Sequence, residues 1–92
     1  MKAVLQPYCH AEVIGTAEAS RRAGKSERTL RNWCMDNHLG RKVGGHYSVS
    51  QVALDMKLNG DEAALESYLA GERATPEVAA YYQRRGIDVP SS

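Results

Sequence analysis

Arg28 and Asn32 stand four residues apart with Arg31 between them, and Arg21, Arg22 and Lys25 lie just upstream. On a helix, positions i and i+4 share a face, so Arg28 and Asn32 project together as long hydrogen-bond donors. An arginine fork matches the O6 and N7 acceptors of guanine, and a carboxamide matches adenine. Arg31, Arg21, Arg22 and Lys25 are cations of the kind that grip phosphates without reading sequence, and free backbone amides at a helix start near Ser26 add neutral donors. This is chemistry for holding a polyanion.

Other chemistries fit the residues less well. Cys34 and His38 lie one helical turn apart, and Cys9 with His10 would complete a four-ligand zinc set. However, the chain has no CxxC or HExxH spacing, and Cys34 falls on an apolar stripe with Leu30 and Trp33. Gly24-Lys25-Ser26 lacks the upstream glycine of a phosphate loop. The carboxylates sit at solvated spacings in a chain too short for a recognisable acid/base pocket. The sequence is therefore read as non-enzymatic, with no metal and no cofactor. Its apolar runs are short and its start lacks a signal-peptide pattern, so the cytoplasm is the expected compartment, with no membrane partner and with Cys9 and Cys34 as free thiols.

These donors need elements to aim them. Thr16 to Ala23 predicts a short helix, opened by Gly15 or Thr16 and stopped by Gly24. Ser26 is a good N-cap for a second helix, whose Leu30, Trp33 and Cys34 face a core while Glu27, Arg28, Arg31, Asn32 and Met35 face away. Gly40 is expected to break that helix. Val43 and Tyr47 to Val49 have strand character around Gly44-Gly45, which suits a tight hairpin. Ser50, or Ser48 with Gln51, starts a third helix through Leu58. Two further helices come next, one bearing Leu65, Tyr68 and Leu69, the other opened by Thr75-Pro76, bearing Tyr81 and Tyr82, and stopped by Gly86.

Charge divides along the chain. Residues 21 to 46 carry seven lysines and arginines against Glu27 and Asp36, a local balance of +5; residues 55 to 77 have a balance of −4. A net charge of +1 over 92 residues conceals a basic front and an acidic back.

The ordered residues Glu18-Ala19-Ser20, Gly24, Ser26, Thr29-Leu30-Arg31, Trp33, Gly44-Gly45 and Tyr47 resemble the excisionase branch of the MerR-like winged-helix proteins. Length and extra C-terminal helices look like the small excisionases of mycobacteriophages. The resemblance implies a mostly α fold with a small β-hairpin wing: a winged helix-turn-helix over 13–60, preceded by a flexible arm over 1–12 and followed by a two-helix extension over 61–92. It further implies a phage-encoded recombination directionality factor, acting in the bacterial cytoplasm beside a tyrosine integrase. Recognition-helix contacts fall by resemblance on Ser26, Arg28, Thr29, Arg31 and Asn32, and wing or phosphate contacts on Arg41, Lys42, Gly44, Gly45, His46 and Tyr47. Arg22 stands where the family usually has an apolar residue, which places it toward phosphate. The expected partner is duplex DNA with repeated sites, bound cooperatively and bent, with Tyr68, Tyr81 and Tyr82 meeting other copies or the integrase. Related domains also serve as transcriptional regulators and as DNA-recognition subunits of terminases.

Overall fold

Most helices begin where a short polar side chain replaces the missing turn of hydrogen bonds. In the computed structural model, which describes residues 4–5 and 9–89, Ser26 caps α2 (Glu27–Asp36), Ser50 caps α3 (Gln51–Leu58), Asp61 caps α4 (Glu62–Leu69) and Thr75 caps α5 (Pro76–Arg84). Among the described α-helices, α1 (Thr16–Ala23) alone starts without a side-chain cap, at Gly15. Its end is Gly24, in the left-handed conformation with φ 67°. The capping alternative offered by Ser48 is not used, because Ser48 lies within a strand.

Among the described residues, three strands join these five α-helices. β1 (Val13–Ile14), β2 (Gly40–Val43) and β3 (His46–Ser50) form an antiparallel sheet in the order β1-β3-β2. The hairpin pairs Val43 with His46 and Lys42 with Tyr47, and turns through Gly44 and Gly45 at φ 57° and 84°. Two successive positive φ values are those of a type I′ turn, whose twist matches the flanking strands. β1 is an addition to the elements expected from sequence: Val13 pairs with Ser50 and Ile14 with Val49.

Gly40 has a different role from the expected one. The second helix already ends at Asp36, and the chain turns through His38 at φ 57°. Gly40 then lies inside the sheet, where a Cβ would come 2.3 Å from the Ser48 carbonyl oxygen and 2.9 Å from Cys34 Sγ. Close approach of strand to helix requires the glycine there.

The core draws on all three segments expected from sequence, the arm, the domain and the extension. A single hydrophobic core runs from Val4 and Leu5 through Leu30, Leu39, Val49, Leu54 and Met56 to Tyr68, Val78, Tyr82 and Ile87. At its centre Glu12, wholly buried at the end of a 3-10 turn (His10–Glu12), accepts hydrogen bonds from Ser50 Oγ at 2.5 Å, Tyr82 Oη at 2.6 Å and Tyr68 Oη. The Leu5 amide donates to Tyr68 Oη at 2.9 Å. A buried carboxylate needs several such donors, and they come from the β3–α3 junction, α4 and α5. Val4, Leu5 and Glu12 of the expected arm are thus built into the core, while His10 and Ala11 are exposed; residues 1–3 and 6–8 of it, and 90–92 at the other end, lie outside the described residues. α4 and α5 are core elements rather than an appendage.

Candidate nucleic-acid interface

Hydrogen bonds at its start and apolar packing along its buried side aim α2. The Thr29 amide donates to Ser26 Oγ at 3.1 Å, and the two hydroxyls lie 3.0 Å apart. Thr16 Oγ1, at the start of α1, donates to Glu27 Oε1 at 3.0 Å and ties the two helix starts together. Leu30 and Cys34 are buried, and half-buried Trp33 packs beside them with Lys57 Nζ 5.2 Å from its ring centroid. Burial pushes the Cys34 thiol up to about 11, as befits a core residue. With that side fixed, Arg28, Arg31, Asn32 and Met35 are left exposed on the other.

α2 packs against β2, so the hairpin adjoins the helix. Arg41, Lys42, Gly44, Gly45 and His46 are exposed, whereas Tyr47 is half-buried with Lys42 Nζ 6.0 Å from its ring centroid. Ser26 and Lys25 are exposed at the turn between α1 and α2, and Thr29 is half-buried.

The cations divide into engaged and unengaged sets. Arg22 Nε contacts Glu18 Oε2 at 2.9 Å, and its Nη1 donates to Gln51 Oε1 at 2.7 Å; Gln51 in turn donates to the Ala11 carbonyl at 2.8 Å. Arg22 therefore braces α1 on the start of α3 while remaining partly open to solvent. Arg21 pairs with Glu18 at 3.4 Å but is largely exposed. Elsewhere Arg85 makes a two-pronged contact to Asp55 at 2.6 and 2.7 Å, Arg84 stacks over Tyr81 and Arg73 is buried over Tyr68. By contrast, Lys25, Arg28, Arg31 and Arg41 are exposed and make no hydrogen bond or ion pair with any described residue.

Three sequence-derived site residues fall elsewhere. Tyr68 and Tyr82 have no exposed surface and Tyr81 only 5%; the first two hydroxyls serve Glu12, and Tyr81 Oη donates to Asp61 Oδ2 at 2.9 Å. They are core residues, so the expected partner contact through these tyrosines is corrected. Their surplus of aromatic surface is taken up by a core larger than the C-terminal helices alone would make. Glu12 escaped sequence reading because an acid beside Val13-Ile14 looks like solvated surface; the excess of tyrosine hydroxyls over surface need was the available signal. Gln51 escaped likewise.

A cleft of about 200 Å³ opens between Asn37, Met56, Lys57, Asp61, Glu62 and Leu65. Its Asp61 is occupied as the α4 cap and as the acceptor of Tyr81. No helix among the described residues is long and apolar enough to cross a membrane. Comparisons with models of protein families, with curated proteins and with solved structures find no match.

Proposed function

We propose that the protein is a non-catalytic, sequence-specific DNA-binding winged helix that acts as an excisionase, turning a tyrosine integrase toward prophage excision and away from integration. The observation that carries the DNA-binding reading is the contrast between the two sets of cations. Lys25, Arg28, Arg31 and Arg41 extend into solvent from α2, the turn before it and the hairpin beside it, while the arginines elsewhere are engaged. A face of uncommitted long donors next to a projecting hairpin is what a major-groove helix with a flanking wing requires. In this reading Arg28 and Asn32 meet base edges, Lys25, Arg31, Arg41 and Lys42 meet phosphates, and the hairpin tip reaches the neighbouring minor groove.

The step from DNA binding to excision rests on the resemblance of residues 13 to 56 to the excisionase pattern. It is supported by α4 and α5, two short helices packed into the core where a regulator of the MerR kind has a long dimerisation helix. A gel-shift titration tests it, using a duplex with the repeated sites of a phage attachment arm and a scrambled duplex, for the full chain and its Arg28→Ala/Asn32→Ala variant. Stepwise complexes on the attachment duplex, lost in the variant, together with stimulation of integrase-mediated excision, are the expected result. Equal binding to both duplexes, or no effect on excision, would remove the excisionase role.

A further inference from the structure

An apolar side chain sits at the centre of the solvent face of α2. Met35 is 56% exposed, the most exposed large hydrophobic residue among those described. At about 100° per residue it falls about 20° around the axis from Arg28, between Arg31 and Asn32. Leu30 and Cys34, buried on the opposite side, fix this face outward. Met35 adds nothing to the core, and three long polar side chains surround it.

In the major groove one exocyclic group suits such a residue: the 5-methyl of thymine, which is the apolar element of the groove's recognition code. We propose that Met35 selects a thymine through van der Waals contact with that methyl. The proposal rests on the DNA-binding reading above and makes Met35 a specificity-determining residue within it. An unbranched thioether adapts its reach to the groove floor. Met35 lies about 10 Å along the helix from Arg28, so the thymine sits about three base pairs from the base that Arg28 reads, at 3.4 Å per step.

Selection of bound sequences from a random duplex library with the full chain supplies the probe. Each thymine of the recovered sequence is then replaced by uracil, which removes the methyl and leaves every hydrogen-bonding edge in place. At one position the substitution weakens wild-type binding about fourfold, the worth of one buried methyl. Met35→Ala binds the thymine and uracil duplexes alike, while Met35→Leu keeps the preference; circular dichroism checks that both variants retain the fold. An equal uracil penalty in wild type and Met35→Ala, no sensitive position, or duplex binding without sequence enrichment would overturn the role of Met35 and leave DNA binding standing. Absence of binding to any duplex would overturn both.

Discussion

Arg28 and Asn32 differ in expected effect from Lys25 and Arg41, although all four are exposed. A base contact discriminates, so Arg28→Ala or Asn32→Ala should cost about 1–3 kcal/mol on the preferred duplex and little on a scrambled one. A phosphate contact does not discriminate: Lys25→Ala or Arg41→Ala should weaken both duplexes alike. With four phosphates neutralised, log affinity against log salt should fall with a slope of about −4, and each such variant should flatten it by about 0.9. Titrations at four salt concentrations separate the two classes; a flattened slope without loss of discrimination in Arg28→Ala would make it a phosphate contact. Cys34 gives a second test at this scale. Its thiol is raised to about 11 by burial from an ordinary value near 9, so the folded state holds a proton that the unfolded state releases between those values. The raised value contributes stability that is fully present below about pH 9 and is lost as pH rises toward 11. Tyr68 and Tyr82, raised first by burial and then by Glu12, act in the same direction at higher pH. Urea midpoints should therefore hold steady from pH 7 to 9 and decline above, and a thiol reagent should reach Cys34 only after unfolding.

Among the elements, the β2–β3 hairpin depends on one missing side chain. Gly40→Ala would drive a methyl into the Ser48 carbonyl and against Cys34, forcing β2 away from β3 and α2. A cost of about 1–3 kcal/mol is expected, with DNA affinity falling along with stability because the hairpin and α2 lose their common support. Ser26→Ala should cost about 1 kcal/mol through the lost cap of α2. Glu12→Ala should cost more than Ser26→Ala, because it leaves the hydroxyls of Ser50, Tyr68 and Tyr82 buried without their shared acceptor; urea denaturation ranks the three variants. The same residues show what was legible in the sequence. Helix starts at Ser26, Ser50 and Thr75 and the Gly44-Gly45 turn come from local chemistry, where one side chain or one backbone preference decides. Gly40, Glu12 and Gln51 depend on neighbours 6 to 70 positions away in sequence, and no local pattern encodes such partners. Arg22 shows the same limit within the candidate site: its charge and its i,i+4 partner Glu18 are legible, but Gln51, 29 positions away, becomes visible only in the fold.

At the scale of the whole molecule, size limits how copies can share DNA. The Cα envelope measures 31 × 27 × 24 Å, slightly less than the 34–36 Å of one duplex turn. Copies on sites one turn apart would lie side by side on one face of the DNA, each with its unengaged cations inward. Their mutual contacts must use surfaces other than Tyr68, Tyr81 and Tyr82, which the core consumes. Cooperative binding to a tandem pair is thus expected at a centre-to-centre spacing of about 10 bp. Inserting 5 bp turns the second copy to the opposite face and should abolish cooperativity. Inserting 10 bp restores the face but sets the two centres about 68 Å apart, more than twice the 31 Å extent of each copy, so cooperativity carried by protein contact should be lost there too. If it persists at 10 bp and circularly permuted probes show a bend, the coupling runs instead through deformation of the duplex, at a cost of order 1–6 kcal/mol per bent site. Gel shifts on the three spacings, read beside the permuted probes, decide whether the protein surface or the bent DNA links one copy to the next.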